Sequence, residues 1–198
     1  YQLRVISMPR VSAEEKEQSH KRIVKSAASL MREKGIENTS VGDVMNEAGL
    51  THGGFYRHFA SKAELAVAAL EYAVTEAIWV LETAEGPKEQ ATVLADYVDR
   101  YLSEEHVQKL RVGCPLAALA TETNRQDPIV REKAEASIER VVKAIARAKS
   151  ISSGEEEDLQ QARVTFALLL GTITLARLSK KDGNKNPFLQ ATKSELSL

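Results

Sequence analysis

Few residues in this sequence interrupt or cross-link the chain. Its 198 residues include one cysteine, five prolines and ten glycines. A single cysteine excludes an intrachain disulfide framework and is typical of a protein kept in a reducing compartment. The scarcity of proline and glycine, beside stretches rich in Ala, Leu, Glu and Lys, favours helices. No segment shows the alternating β-branched pattern of a strand, so we predict an all-α protein.

Excess charge and long apolar runs are also missing. The formal net charge is −1 at pH 7, so any DNA binding requires basic residues concentrated on one face. The most apolar stretch, Val164–Leu178, is shorter than the roughly 20 residues needed to span a bilayer. The first residues lack the continuous apolar core of a secretory signal. We therefore predict a cytoplasmic protein without membrane contact, with Met8 as the natural start, Tyr1–Ser7 an upstream remnant, and residues 1–11 outside the fold.

Capping signals divide the N-terminal quarter into short helices. Ser12 is followed three residues later by Glu15, the signature of a capping box that opens a first helix. Further Ser or Thr caps precede a second helix at Ser40, a third at Thr51 and a fourth at Ser61. Gly49 is expected to end the second helix, and the apolar Leu50 separates it from the cap of the third. Two short helices joined by a tight turn form a helix-turn-helix, whose DNA-binding versions place the second helix in the major groove.

The third segment, from about Thr51 to Phe59, has an unusual composition. Its adjacent glycines, Gly53 and Gly54, cost roughly 1 kcal/mol each relative to alanine within a helix. Close approach of the backbone to a DNA groove would compensate for that cost. The outward side chains Tyr56 and Arg57 suit a phosphate and a base edge, since arginine pairs with guanine through two hydrogen bonds. The alternative is a frayed surface loop.

The segment Lys21–Leu70 closely resembles the DNA-binding region of the TetR family of bacterial regulators. The resemblance rests on Ile23, Ala27, Ala28, Gly35, Thr39-Ser40-Val41, Ala48-Gly49-Leu50, Gly53-Gly54-Phe55-Tyr56-Arg57-His58-Phe59 and Ser61-Lys62. It implies phosphate contacts by Ser40, Tyr56, His58 and Lys62, and positions near base edges for Thr51, His52, Gly53 and Arg57. Gly54 completes the DNA-binding set, although His52 and Gly54 occupy positions that vary in the family. It also implies a helix-turn-helix domain over 12–60 and a helical effector-binding and dimerisation domain over 61–198.

The middle of the chain is expected to hold an effector pocket. The fourth helix, from Ser61 to about Ala84, would connect the DNA-binding unit to this region. An uncharged or amphipathic ligand fits the largely apolar residues expected in the wall, which are Trp79, Tyr97, Tyr101, His106, Cys114, Leu116 and Phe166. Cys114 also precedes Pro115 at a helix N-terminus, where a thiolate is stabilised. The thiol is therefore either a sensor of oxidants and electrophiles or a small buried apolar group.

The C-terminal helices suggest a partner subunit. We predict one helix from Asp127-Pro128 and a last long helix opened by Ser153 with Glu156 as a capping pair. That last helix is apolar on nearly every side between Phe166 and Leu175, so it needs burial all round. The family resemblance implies a homodimer in which these helices form a four-helix bundle. The predicted interface is Ile138, Val141, Val142, Ile145, Ala167, Leu170, Gly171 and Ile173, the alternative being a monomer that wraps its own central helix.

No arrangement of residues typical of an enzyme is present in the sequence. It lacks a Gly-x-Ser-x-Gly elbow, a phosphate-cradling glycine loop and Glu-x-x-His pairs, while His52 and His58 are too far apart to share a zinc ion. We therefore predict no catalytic activity, metal or cofactor. The resemblance implies a ligand-responsive regulator, typically a repressor that releases a palindromic operator when a small molecule binds. Activation, a thiol sensor acting through Cys114, and a helical scaffold that does not bind DNA stay open.

Overall fold

Helices and turns make up the described part of the chain. The computed structural model describes residues 12–153, 156, 158–179 and 186–196, and within these ranges there is no strand, so the all-α prediction is confirmed. The elements are α1 (Ala13–Lys34), α2 (Val41–Glu47), a 3-10 helix (His52–Arg57), α3 (Lys62–Thr83), α4 (Pro87–Tyr101), α5 (Glu104–Gln108), a second 3-10 helix (Leu110–Val112), α6 (Pro115–Thr123), α7 (Pro128–Ser153), α8 (Leu159–Leu178) and α9 (Pro187–Glu195). The start expected at Met8 and the segment 1–11 lie outside the described residues.

Side-chain caps begin the first helices where the sequence predicts them. Ser12 Oγ accepts a hydrogen bond from the Glu15 amide at 3.1 Å, and the Glu15 carboxylate accepts from the Ser12 amide at 2.7 Å. Ser40 and Asp43 form the same reciprocal box at the start of α2, at 3.0 and 3.2 Å. Ser61 caps α3 through its hydroxyl. Each cap satisfies backbone amides that the first helical turn leaves without an intrahelical partner.

The predicted boundary between the last two long helices is wrong. Ser153 ends α7 instead of opening α8, and α8 begins at Leu159. Asp158 is the actual cap, since its carboxylate accepts from the Gln161 amide at 2.9 Å. The serine beside the predicted start, Ser152, bonds back to the carbonyl of the preceding turn and so stays within the helix. A serine late in a helix satisfies its hydroxyl in this way as readily as it caps a new helix.

Two hydrophobic clusters divide the molecule. We call α1, α2 and the first 3-10 helix the head, and the elements from α3 onward the body. The head contributes Ile23, Val44 and Phe55 to one cluster, which is completed by Leu119 of α6 and Val130 of α7. The second cluster lies among α3, α4, α6, α7 and α8. The expected domain boundary at residue 60 stays a prediction, but the core of the head includes side chains from the body.

Helix α3 belongs to both clusters and is fixed to α7. Leu65 near its start packs in the head cluster, whereas Ile78 near its end packs in the body cluster. Arg140 of α7 donates to both carboxylate oxygens of Glu82 at 2.8 and 2.7 Å, and to Glu71 at 2.8 Å. Bidentate pairing of this kind restrains orientation as well as distance. Movement of α3 relative to α7 therefore requires that these bonds be broken or rearranged.

Helix α8 is longer than the apolar stretch Val164–Leu178 identified in the sequence. It spans 20 residues, Leu159–Leu178, and among the described helices it alone is long and apolar enough to cross a bilayer. The expectation that this stretch is too short to span is therefore wrong on length. Core helices of soluble proteins have the same length and composition, so this property is weak support for membrane insertion.

Candidate DNA-binding surface and ligand cavity

A tight turn joins α2 to the first 3-10 helix. Gly49 adopts φ +68°, the left-handed region that favours glycine. The Leu50 amide donates to the Met45 carbonyl at 2.9 Å and closes the end of α2. This turn sets the angle at which the 3-10 helix leaves α2. Glycine is therefore favoured at position 49 by the backbone conformation of the turn.

The segment after the turn presents one apolar and one exposed side. Phe55 and Phe59 are buried and their rings are stacked with centroids 5.8 Å apart. Tyr56 is 72% exposed, and Arg57 beside it is exposed too. The segment is helical as predicted, but it is a 3-10 helix over His52–Arg57 in which Thr51 makes no side-chain cap. The shorter, tighter helix leaves the polar side chains free on the outer surface.

Gly53 and Gly54 are not required by the chain's own structure. A Cβ atom on Gly53 would meet no atom within 4 Å, and one on Gly54 would make ordinary contacts with Met45 and Thr51 at 3.5 and 3.9 Å. Neither glycine has a positive φ. Their surface is thus bare backbone that a partner molecule can approach closely.

Some of the other predicted DNA contacts also have roles within the chain. Ser40 is exposed, although its hydroxyl caps α2. Lys62 Nζ donates to the carbonyl of Glu37 at 3.0 Å. Thr51 and His52 are exposed. A Cβ on Gly42 would lie 3.6 Å from Ser40 Oγ and 3.7 Å from His52 Cδ2, so these two side chains are neighbours. The contacts of all four residues with DNA stay predictions.

His58 lies among positive charges. Burial lowers the pKa of His58, and the nearby His20, Lys16 and Arg57 lower it further. The His20 and His58 rings are 5.8 Å apart between centroids, and His58 Nδ1 is buried without a protein partner. This cluster favours the neutral imidazole and would attract an anion.

A cavity of about 240 Å³ lies between α3, α4 and the segment from α5 to the start of α6. Four residues of the predicted pocket line it, namely Tyr97, Tyr101, His106 and Cys114. The remaining lining residues are Glu76, Ala77, Arg100, Ser103, Glu105, Lys109, Val112 and Gly113. The wall therefore combines aromatic and small apolar groups with charged side chains.

Three residues of the predicted pocket lie elsewhere. Trp79 is 59% exposed on α3, because its neighbour Ile78 occupies the inward face of that helix. Leu116 and Phe166 line a separate groove of about 610 Å³ between α6, α7 and α8. Cys114 is the non-helical residue before α6, whereas Leu116 belongs to the first turn of that helix, so helical spacing does not place the two side chains in one wall.

Hydrogen bonds fix the tautomer of His106 in the cavity wall. Its Nε2 accepts from the Cys114 amide at 2.8 Å, and its Nδ1 lies 2.6 Å from the carbonyl oxygen of Tyr101. A backbone amide only donates and a carbonyl only accepts, so the proton resides on Nδ1. Burial lowers the pKa of His106, the Tyr101 hydrogen bond opposes that shift, and Arg177 and Arg100 add to it. His106 is therefore neutral and links the end of α4 to the start of α6 through these two hydrogen bonds.

Cys114 and Tyr101 are neighbours within the wall. Cys114 is 6% exposed. The Tyr101 hydroxyl is buried without a protein partner, and burial together with the adjacent Cys114 raises its pKa well above the usual range. A reagent would have to enter the cavity to reach the thiol, and the sensor interpretation stays a prediction.

The predicted dimer residues divide into buried and exposed sets. Val141, Ile145 and Ile173 are buried within the chain's own core, so their assignment to a surface is wrong. They face inward because α7 and α8 pack these sides against other helices of the body. Val142 is buried at the base of the groove between α6, α7 and α8, which Ile138, Ala167, Leu170 and Gly171 also line. Exposed apolar side chains continue along α8 at Val164, Leu168, Leu175 and Leu178.

Polar contacts that the sequence did not predict join the head to the body. Arg32 of α1 donates to the Glu76 carboxylate and to the Gly113 carbonyl. Glu122 of α6 accepts from the Ile36 amide at 2.8 Å, just beyond the end of α1. A charged residue at an apolar position of α1 signals a buried pair, but its partner 44 residues away could not be predicted from spacing.

Two family models match the chain. One, described as "Bacterial regulatory proteins, tetR family", matches residues 23–69. The other, described as "Tetracyclin repressor-like, C-terminal domain", matches residues 91–192, more than half of the chain. The chain belongs to the TetR family. The region that carries the N-terminal TetR match contains the glycine pair, Tyr56 and Arg57, and the C-terminal match includes most of the cavity wall.

Individual transcriptional regulators are similar to this chain over most of its length. An HTH-type transcriptional regulator of Mycobacterium tuberculosis is 32% identical over 132 residues, which is 66% of this chain and 61% of that protein. The match thus spans about three fifths of the mycobacterial relative's length. A regulator of Lactococcus lactis is 26% identical over 168 residues, covering 80% and 83% of the two chains. The crystal structure of a TetR transcriptional regulator from Chloroflexus aurantiacus superposes with a TM-score of 0.73 at 28% identity, covering 93% and 94%.

Proposed function

We propose that the chain is a homodimeric, cytoplasmic repressor that releases a palindromic operator when a small molecule enters the cavity beside Tyr97 and Tyr101. The glycine pair carries this proposal, because neither Gly53 nor Gly54 is required by backbone conformation or by internal packing. Both lie beside the exposed Tyr56 and Arg57. Bare backbone flanked by a phenol and a guanidinium suits a DNA groove, in which amides and side chains approach phosphates and base edges.

A second copy of the chain would cover the apolar surface of α8. Val164, Leu168 and Leu175 lie on one exposed side of that helix, next to the groove lined by Ile138 and Gly171. A contiguous exposed apolar surface is typical of a protein interface. Two-fold pairing there would place two heads on one duplex, where half-sites lie roughly 34–36 Å apart.

The size and chemistry of the cavity suit a small uncharged or amphipathic ligand. An apolar cavity of about 150 Å³ holds benzene, so 240 Å³ leaves room for a substituted or bicyclic aromatic compound. Glu105 and Lys109 at the wall form an ion pair with each other. The rings of Tyr97 and Tyr101 offer flat apolar surface.

Selection from a random duplex pool tests the proposal. The wild-type chain is expected to enrich a palindrome, whereas Tyr56→Ala and Arg57→Ala proteins should lose or blur it. Arg125→Ala removes an exposed arginine of the body and serves as the control. A folded dimer that enriches no sequence at low salt would contradict the proposal and favour a helical scaffold, because sequence-specific binding is strongest at low salt.

A thiol-responsive repressor is the second candidate. The observation that favours it is the position of Cys114 in the cavity wall, beside a buried tyrosine hydroxyl that has no protein partner. Alkylation of the thiol should weaken operator binding by the wild type and leave a Cys114→Ser protein unaffected. Complete modification of Cys114 without a change in operator affinity would contradict this candidate.

A further inference from the structure

Arg32 is a buried cation near the end of α1. Its side chain is 3% exposed, and it lies one helical turn from the fully packed Ala28 on the apolar face of α1. An ionised group in such a place is tolerated only when it is paired and hydrogen-bonded. Loss of the Arg32 partners would therefore leave a buried charge unpaired and favour displacement of the end of α1.

All hydrogen bonds recorded for the Arg32 side chain end on residues of the body. Both terminal nitrogens donate to Glu76 Oε2 at 3.2 Å, and Nη1 also donates to the carbonyl of Gly113 at 3.3 Å. Nε is buried without a protein partner. No residue of the head shares the charge in the part of the chain that the structure describes.

Both acceptors line the cavity. Glu76 belongs to α3 and Gly113 precedes the first turn of α6, and each forms part of the cavity wall. Gly113 has little room to move independently, because a Cβ there would lie 2.8 Å from Arg177 and 3.0 Å from His106. A molecule that pushes the 103–113 segment outward would therefore shift the Gly113 carbonyl together with His106.

A second, weaker link joins the same segment to the head. Arg111 Nε donates to Ser29 Oγ of α1 at 2.9 Å, and its guanidinium pairs with Glu33 and Glu47. These carboxylates and Arg111 are more than one third exposed, and ion pairs so exposed contribute little. The side chain of Arg32 is 3% exposed whereas that of Arg111 is 42% exposed, so only the loss of the Arg32 bonds leaves a buried charge unpaired, and these bonds are the stronger of the two connections.

We propose that Arg32 is the positioning residue that transmits cavity occupancy to the DNA-binding head through α1. This inference rests on the proposed function and names its route. Ligand entry displaces Gly113 or Glu76 from the guanidinium, which leaves a buried charge unpaired, and α1 moves to hydrate it. Movement of α1 carries the head away from its DNA-binding position together with the N-terminal half of α3, which packs in the head cluster. The C-terminal half of α3 can stay fixed to α7 through Arg140 and Glu82.

A cavity-filling substitution tests the route without an identified ligand. Ala77 lines the cavity, and Ala77→Phe serves as a permanent occupant. The operator found by selection is titrated with Ala77→Phe, Arg32→Met, and the double variant. Allosteric coupling typically changes affinity 5- to 150-fold. Ala77→Phe, as the single substitution, is therefore expected to weaken operator binding about tenfold relative to the wild type. In the Arg32→Met background it should change affinity less than about twofold, since the connection is already absent.

Matched variants separate transmission from stability. Arg140→Met removes another interhelical arginine away from the cavity and should leave the tenfold effect of Ala77→Phe intact. Arg32→Lys keeps the charge but cannot reach both acceptors equally well, and should restore part of the effect. Glu76→Gln, at a side chain that is 43% exposed, tests the same pair from the body if Arg32→Met fails to fold. An equal effect of Ala77→Phe in the wild-type and Arg32→Met or Glu76→Gln proteins would overturn the proposal.

Hydrogen exchange distinguishes failure of this route from failure of the proposed function. In the DNA-free protein, amides of α1 and α2 should exchange faster in Ala77→Phe than in the wild type. The same amides should exchange at equal rates in Arg32→Met and in the double variant. If no operator is selected but this pattern is found, the route stands and DNA regulation fails. If Ala77→Phe alters neither exchange nor affinity, the route is overturned.

Discussion

Gly49 and Gly53 lie four residues apart and are glycines for different reasons. Gly49 has φ +68°, where a side chain costs roughly 1–2 kcal/mol. Gly53 has an ordinary φ and open space around the position of a Cβ. The first residue serves the fold of the head, and we propose that the second serves contact with DNA.

Alanine substitutions at these glycines should have opposite effects. Gly49→Ala is expected to lower the free energy of unfolding by about 1–2 kcal/mol because of its left-handed backbone. Gly53→Ala should leave unfolding unchanged or raise its free energy by up to about 1 kcal/mol, while weakening operator binding about tenfold because a methyl group intrudes on the backbone contact. Urea denaturation and operator titration measure the two quantities. Undiminished operator affinity in folded Gly53→Ala would count against the DNA-facing role.

His106 predicts acid sensitivity. In the unfolded chain its imidazole titrates near the ordinary value of about 6.5, whereas burial lowers the pKa in the folded protein. The unfolded state therefore binds more protons below that pH, and the free energy of unfolding falls as pH drops below about 6.5. The melting temperature measured from pH 7.5 to 5.5 should show this decline.

A His106→Gln variant is the control for that decline. Its amide can accept from Cys114 and donate to Tyr101 without titrating, so the slope below pH 6.5 should be shallower than in the wild type. The residual slope would include His58, whose pKa is also lowered. Identical slopes in the two proteins would show that His106 does not couple to folding.

At the scale of elements, α8 is the helix whose exposed side most needs a partner. Ala167 and Gly171 line the groove with α7, and Leu168 and Leu175 are exposed beside it. Small residues four apart allow another helix to approach closely. This surface is therefore the part of the body where a charge should be most damaging to assembly.

Ala167→Glu should convert a dimer into monomers. A two-fold interface contains the substitution twice, so two carboxylates are desolvated and face each other. The dimer dissociation constant is expected to rise about 100-fold or more, as measured by sedimentation across a dilution series. Ile151→Glu places the same charge at an exposed apolar residue outside the groove, and it should leave assembly intact. If the dimer dissociation constant of Ala167→Glu were unchanged, the dimer interface would lie on another surface.

Local sequence signals determine most element starts but not the contacts between distant elements. The boxes at Ser12 and Ser40 were predictable because both partners lie within four residues. The start of α8 was not, since Ser153 has the spacing of a cap while Asp158 makes the bond. The cavity was predicted in part, because helical spacing places Tyr97 and Tyr101 on one face. Its connection to the head depends on residues up to 81 positions apart, and no periodicity reports such pairs.

At the scale of the whole molecule, a nearly neutral chain must bind DNA through local charge. Each phosphate contact contributes about 0.9 to the slope of log affinity against log salt. A dimer carries two copies of Lys62, the proposed phosphate ligand at the start of α3. The salt dependence of operator binding therefore reports the number of phosphate contacts, which the net charge of the chain does not reveal.

Lys62→Gln should reduce that slope by about 1.8, twice the value for one phosphate, and weaken binding to all sequences alike. Operator dissociation constants measured between 50 and 300 mM salt, about sixfold in concentration, give the slope. Lys143→Gln removes an exposed lysine of α7 far from the head and should leave the slope unchanged. A slope unaffected by Lys62→Gln would show that its bond to Glu37 is its only role.

Leu119 and Val130 of the body complete the apolar core of the head. Engineers who build chimaeric regulators exchange the effector module of one protein for that of another. In this chain such an exchange at residue 60 would leave the transplanted head with a hole where those two side chains had been. A workable graft must carry the N-terminal half of α3, α6 and the first turn of α7 along with the head, or supply side chains of matching volume at those positions.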